Sequence, residues 1–265
     1  MTILEAIEAR HSVRRYTDEP VKEEALAILR EKIEEVNRVG SLHVQLVTDE
    51  PKAFSGLMAY GAFSGVRTYL VMAGKRDGAW EGRGKNGGGP DGQAGESLGS
   101  SCQAGDGPGS SCQDGRCLDE RIGYYGEQLV LLAQTLGLNT CWAGASYKKI
   151  PGTYELRDDE KIGCYIALGY GVTQGHAHKV KARSEVSNAS DLTPAWFNKG
   201  VDAALLAPTA VNQQKFRIEY LGMTDDGVKV SAKPTFSMIG YAGMDLGIVK
   251  YHFEVAAGVE NFEWV

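Results

Sequence analysis

Apolar residues recur along this chain with two different periods, and the period separates the segments that coil from those that extend. Ile3, Leu4 and Ile7 fall on one helical face behind Thr2, and Glu5 completes a capping-box pattern; this first helix is expected to end near Arg10. Leu26, Leu29, Ile33 and Val36 predict a helix from Val21 to Val39, with Gly40 as its C-terminal cap. Leu42 to Thr48 alternates, and Arg67 to Ala73 is a short apolar run, so both read as strands. A helix is predicted from about Glu120 to Leu136, closed by Gly137, then a strand from Asn139 to Ala143 and a short helical turn through Lys149. Lys161 to Gly171 is a long apolar strand, followed by a polar, basic stretch from Gly175 to Asn188. The remainder reads as a helix (Pro194 to Leu206), a strand (Lys215 to Leu221), a hairpin through Asp225-Asp226-Gly227, a helix (Asp245 to Ala257) and a terminal strand (Asn261 to Val265). Helices and strands mix without regular βαβ alternation, which implies an α+β fold.

Composition adds one interruption. Twelve of the 34 glycines lie between Gly82 and Cys117, where Leu98 is the one large aliphatic residue and Gly-Ser-Ser-Cys-Gln occurs twice, from Gly99 and from Gly109. Such a segment buries too little apolar surface to offset its ordering entropy and reads as an insertion. Three of the five cysteines (Cys102, Cys112, Cys117) sit in it, at spacings that lack the tight pairs of a zinc site; no metal is expected. The other two are Cys141 and Cys164. An odd, sparse cysteine set, with no secretory pattern in Met1 to Arg10, gives the expectation of reduced thiols in a cytoplasmic protein. No apolar run approaches the ~20 residues of a membrane span. A net charge of −6 argues against nucleic acid as a general partner.

Three separated segments carry candidate chemistry. In Arg10-His11-Ser12-Val13-Arg14-Arg15-Tyr16, an extended backbone would project residues 10, 12 and 14 to one side. Two guanidinium groups and a hydroxyl together suit a phosphate monoester; the same residues also suit an exposed basic turn. In Ala207-Pro208-Thr209-Ala210-Val211-Asn212-Gln213-Gln214, proline ends a helix, and Asn212 and Gln214 offer amides at alternate positions. These suit the polar edge of a planar heterocycle, or a loop satisfying its own backbone. In Leu136-Gly137-Leu138-Asn139-Thr140-Cys141-Trp142-Ala143-Gly144, small residues beside Trp142 would admit a flat ligand, or Trp142 is a core residue at a strand end. One echo links the halves: Gly126 and Gly137 have the same separation as Gly247 and Gly258, each pair bounding a helix followed by a strand. His176 and His178 read as solvated loop residues.

Taken together, the three segments resemble the nitroreductase family of FMN-dependent oxidoreductases, most closely its two-in-one branch, in which one chain carries both halves of the usual homodimer. The resemblance implies a nitroreductase-like α+β mixed sheet flanked by helices. It implies two halves, residues 1–188 (with the insertion at about 82–117) and an abbreviated 189–265, sharing one FMN between them. The first half has the Ser-x-Arg segment and lacks the asparagine-bearing one; the second half has the reverse. By resemblance, Arg10, His11, Ser12 and Arg14 hold the phosphate and ribityl chain, and Lys181 and Arg183 match a late Lys-x-Arg pair completing the phosphate site. Pro208, Thr209, Ala210, Asn212 and Gln214 line the ring from the other half, with Trp142, Ala143 and Gly144 on the remaining side. Thr209-Ala210 stands where the family has a serine pair, and Lys215-Phe216 where it has Pro-Trp.

The implied activity is ping-pong hydride transfer from NADH or NADPH through the flavin N5 to a small acceptor such as a nitroaromatic or quinone. The flavin carries the chemistry and no catalytic side chain is needed. A monomer with an internal pseudo-two-fold is implied, with no nucleic-acid or membrane partner. The alternatives are a non-catalytic FMN-binding or storage protein, and a flavoenzyme of the same fold with another acceptor, such as an enone reductase or dehalogenase.

Overall fold

The computed structural model describes residues 1–55, 62–76 and 117–265. The glycine-rich stretch therefore lies outside the described residues, except for Cys117 at its end. The helices are α1 (Ile3–Ala9), α2 (Glu23–Gly40), α3 (Leu118–Thr135), α4 (Arg183–Val186), α5 (Ala195–Leu205) and α6 (Ala242–Ala257). The strands are β1 (Gln45–Val47), β2 (Thr68–Lys75), β3 (Asn139–Ala143), β4 (Glu160–Gly169), β5 (Phe216–Thr224), β6 (Gly227–Pro234) and β7 (Glu263–Trp264). The α+β expectation holds. The strands form two sheets: an antiparallel one ordered β1-β2-β4-β3, and a smaller one ordered β5-β6-β7, in which β6 and β7 run parallel.

Local chemistry explains most boundaries. The Thr2 and Glu5 capping box opens α1, each side chain meeting the other's backbone. Three expectations are corrected. Gly40 is the last helical residue of α2, and the left-handed residue that ends the helix is Ser41 (φ 48°). Gly40 is required for a different reason: a Cβ there would lie 2.5 Å from the Tyr125 ring. The strand expected over 42–48 shrinks to three residues, because the Asn37 side chain bonds both the N–H and the C=O of Val44 and takes them from the ladder. The segment reaching Lys149 is not helical; Tyr147 is drawn onto Tyr165, ring centroids 3.9 Å apart, and the Lys148 N–H goes to the Ala53 carbonyl. A short helix, α4, appears within the stretch read as polar and basic, its Glu185 side chain accepting from the Ala182 N–H.

One apolar core joins α2 and α3 to a face of the larger sheet, and a second joins α5 and α6 to the smaller sheet. Trp142 packs against both. The joint between them is the crossing of α3 and α6. A Cβ on Gly123 would lie 1.9 Å from the Met244 carbonyl oxygen and 3.1 Å from the Ile248 nitrogen. A Cβ on Gly247 would lie 2.0 Å from the Glu120 carbonyl oxygen and 2.6 Å from the Tyr124 nitrogen. Each glycine thus meets the other helix three residues before and one residue after its counterpart. The reciprocal partners are Gly123 and Gly247, so the echo read as Gly126 with Gly247 is out of register by three. Gly126 serves Trp142 instead: a Cβ there would lie 2.5 Å from the indole ring.

An alanine in a helix interior is ordinarily favoured over glycine by roughly 1 kcal/mol. At Gly247 the sign reverses, because a methyl group has no space against backbone. Gly247→Ala is expected to lower the unfolding free energy by about 3 kcal/mol. Gly137→Ala, at a left-handed position (φ 78°) with open space, is expected to cost about 1 kcal/mol. Urea denaturation of the two variants beside the wild type checks both the sign and the order.

Candidate functional site

The site is built where α1 ends, beside β3 and the C-terminus of α5. The N-terminal segment runs along β3: Ser12 bridges Thr140, and the Val13 N–H donates to the Thr140 carbonyl (3.0 Å). Tyr16, buried beneath it, donates its hydroxyl to the Val13 carbonyl (2.7 Å), which fixes the extended course. Arg10, Ser12 and Arg14 all act on the buried Cys141 thiol. Burial pushes that thiol up, while Arg14, Ser12 and Arg10 draw it down. The three then diverge, for Arg14 is exposed and Arg10 is 3% exposed.

Arg10 enters the interior. Its Nη2 donates to the Leu206 carbonyl (3.3 Å), its Nε lies 3.8 Å from Glu127 Oε1, and that Nε–H has no hydrogen-bond partner. Burial lowers the guanidinium pKa and Glu127 raises it again. His11 packs against Gly175, whose Cβ would lie 2.7 Å from its own. Burial, Arg10, His178 and His176 all lower His11. His178 departs from the solvated expectation: its ring Nε2 donates to the Leu205 carbonyl (3.0 Å) and is half-buried. The last carbonyls of α5 are therefore met by Arg10 and His178, cations or donors where the helix end is electronegative.

The second segment is a strained loop. Val211 (φ 46°), Asn212 (φ 56°) and Gln214 (φ 46°) all lie in the left-handed region, an unusual place for a β-branched residue. Two clamps hold it. Asp245, at the start of α6, accepts from the Ala210 N–H (2.9 Å) and the Gln213 amide (2.7 Å). Gln214, buried, accepts from the Lys181 N–H and donates to the Lys179 carbonyl, while Asn212 donates to that same carbonyl. Thr209 accepts from the Gln214 N–H through its hydroxyl (3.0 Å), and Pro208 stands half-buried just after α5. The amides of Asn212 and Gln214 are thus engaged with the chain itself.

The remaining residues complete the geometry. The Lys181 Nζ donates to the Gln213 and Gln214 carbonyls (3.0 and 2.8 Å). Arg183 makes a two-pronged pair with Asp202 on the surface of α5 (2.5 Å each) rather than turning toward Arg10. The Trp142 indole N–H donates to Glu127 Oε2 (2.9 Å), and Ala143 is buried in the sheet core. A Cβ on Gly144 would lie 2.6 Å from the ring of Tyr241, so this glycine admits the tyrosine that precedes α6. Sequence reasoning missed Glu127, Asp245, Tyr241 and His252. The available signal for Glu127 and His252 was a polar residue on the apolar face of its helix. Among the described residues no group of His, Cys, Asp or Glu could hold a metal ion, and no helix is long and apolar enough to cross a membrane.

The two antiparallel-rich sheets flanked by helices define an α+β protein, and comparison with known proteins gives its family. A family model described as "Putative TM nitroreductase" matches residues 2–84 and 110–257. The chain belongs to this nitroreductase family, whose members are oxidoreductases. The residues between the matched segments fall in the glycine-rich stretch. Among solved structures, the chain is similar to "a putative nitroreductase" from Thermotoga maritima, at 21% identity over 97% of this chain and 83% of that one, with a TM-score of 0.53. It also matches one from Desulfovibrio desulfuricans solved in complex with FMN (16% identity, 73% and 99% covered, TM-score 0.47). A nitroreductase family protein from Streptococcus pneumoniae matches at 14% identity (70% and 98% covered, TM-score 0.47). No curated protein sequence matches.

Asp245 makes the clamp on the strained loop sensitive to pH. Burial raises its carboxyl from 3.8 to about 6, against the bonds from Ala210 and Gln213 that lower it. The folded state then holds more protons than the unfolded state between about pH 4 and 6, so stability falls as pH rises through that window. The contribution amounts to at most about 3 kcal/mol. Asp245→Asn keeps an oxygen for the Ala210 N–H and is expected to remove this fall. Urea midpoints at pH 4 and pH 7 check it: the wild type loses more stability between them than the variant does.

Proposed function

We propose that the chain is an FMN-dependent oxidoreductase that takes hydride from NADH or NADPH and passes it to a small acceptor such as a nitroaromatic or a quinone. The observation that carries this reading is Arg10, a buried guanidinium with an unspent N–H. A buried cation with an unused donor is completed by an anion. His11 lies in its electrostatic reach and in that of His178, and the donor set suits a phosphate monoester. The residues therefore fit the phosphate end of FMN.

Arg10, His11, Ser12 and Arg14 would hold the phosphate and ribityl chain, with Lys181 supplying a further cation from the strained loop. Arg183 would join them by leaving Asp202. Pro208, Thr209, Ala210, Asn212 and Gln214 would form one wall, and Trp142, Ala143 and Gly144 the other. FMN, when bound, supplies hydride acceptance and donation that side chains lack. The chain's part is to bind, to orient and to exclude water: Trp142 is fixed by Glu127, and the loop by Asp245. The two-in-one arrangement, 1–188 with 189–265, is supported by the reciprocal crossing of Gly123 and Gly247, and it makes one site per chain.

The test is uptake of FMN followed by anaerobic mixing with NADH or NADPH. The expected result is a yellow protein with one FMN per chain, bleached in the visible band by at least one of the two nucleotides and re-oxidised by a nitroaromatic or quinone. A protein that takes up FMN but bleaches with neither is a flavin-binding protein without turnover. One that takes up no FMN overturns the site.

A further inference from the structure

A buried polar cluster behind the candidate site has a charge balance that hydrogen-bond geometry alone determines. Glu127 on α3 and His252 on α6 are both 0% exposed. His252 Nδ1 lies 3.0 Å from the Ala203 carbonyl oxygen, which can only accept, so Nδ1 carries a hydrogen. Its Nε2 lies 2.8 Å from Glu127 Oε1. A bare imidazole nitrogen facing a bare carboxylate at that distance is repulsive, so a second hydrogen sits between them, on one partner or the other. In both placements the pair has no net charge. The other Glu127 oxygen accepts from Trp142. Arg10, 3.8 Å away, is therefore not cancelled by the carboxylate beside it. Neighbouring charges on the same helices are spoken for: Glu254 accepts from Tyr124 and Trp264, and Glu120 pairs with Lys250.

We propose that His252 is a positioning residue for anion binding: by sharing a proton with Glu127 it keeps the charge of Arg10 available to a phosphate group. The proposal rests on the flavin reading for the identity of that phosphate. It acts through Glu127, since His252 faces the carboxylate and the α5 end rather than the ligand. Without the shared proton, a full carboxylate 3.8 Å from Arg10 would compete with the ligand in a low-dielectric interior.

The substitutions separate this role from simple support of the fold. In His252→Gln the side-chain amide still donates to Glu127 but brings no ionisable proton, so Glu127 stays anionic. In Glu127→Gln every bond can be kept: the Gln oxygen accepts from Trp142, and its amide donates to Nε2 of a neutral His252. The experiment measures dissociation constants for FMN and for riboflavin, which lacks the phosphate, on the full chain and its variants, together with the thermal shift given by inorganic phosphate.

The expected results are a preference for FMN over riboflavin reduced at least tenfold in H252Q, unchanged within about threefold in E127Q, and restored to within about threefold in the double variant E127Q/H252Q. The phosphate shift follows the same order. A purely structural role would weaken both single variants and leave the double variant at least as weak, and that pattern overturns the proposal. If H252Q does not fold, a tenfold loss of FMN preference in E127Q alone overturns it. A wild type that ignores FMN but shows the phosphate pattern sinks the flavin reading and leaves this inference standing. One that ignores both overturns both.

Discussion

The contact on which the rest of the molecule depends is the backbone-to-backbone crossing of α3 and α6. Neither Gly123 nor Gly247 has room for a methyl group against the facing helix, so the two helices approach as closely as peptide backbone allows. That approach brings together two sheets that share no strand pairing. It also sets what meets one turn farther along: Glu127, four residues after Gly123, faces His252, five residues after Gly247. Trp142 then lies over Gly126 with its indole on Glu127, and packs against both cores. A glycine pair thus dictates the position of a buried carboxylate, and the carboxylate dictates the surroundings of Arg10.

The polar groups around this joint are arranged in pairs taken from distant parts of the chain. Arg10 meets the carbonyl of Leu206 and the carboxylate of Glu127; Asp245 meets Ala210 and Gln213; Gly144 meets Tyr241. Apart from Arg10 with Glu127, each pair joins residues of the first 188 to residues beyond, or one element beyond 188 to another. The loop from Thr209 to Gln214 holds three non-glycine residues at positive φ, a conformation that costs energy at each position and persists when its surroundings over-determine it. Here Asp245, Gln213 and Gln214 supply those surroundings. A strained loop fixed on a rigid helix is held in one conformation, and the amides of Asn212 and Gln214 within it satisfy the chain's own carbonyls.

Much of the fold was legible in the chain because its helices are one-sided. The Leu26, Leu29, Ile33, Val36 stripe on α2 and the apolar runs of β2 and β4 name their own burial, and β3 was bounded residue for residue. What was not legible depended on partners far away in sequence. The first strand is short because Asn37, on the preceding helix, satisfies Val44. The matching glycines were found but paired three residues out of register, since spacing to the next glycine does not reveal which face meets the other helix. In the candidate site, Arg10, Ser12 and Arg14 all act on the Cys141 thiol, yet Arg10 is buried while Arg14 is exposed, so the two guanidinium groups do not project alike as an extended backbone would have them. The inward turn of Arg10 was invisible, because it requires Glu127 and Leu206, more than a hundred residues away. Arg183 shows the converse: a cation of the right type and spacing is held by Asp202, which no motif names.

The central claim is that one chain, folded across the α3–α6 joint, contains a whole flavin site. Light scattering coupled to gel filtration, with absorbance read in the flavin band across the peak, measures particle mass and flavin content on the same molecules. The account predicts bound flavin at one per chain in a particle of the 28.6 kDa chain mass. A particle that holds flavin only when two chains associate, losing it on dilution to single chains, would contradict it.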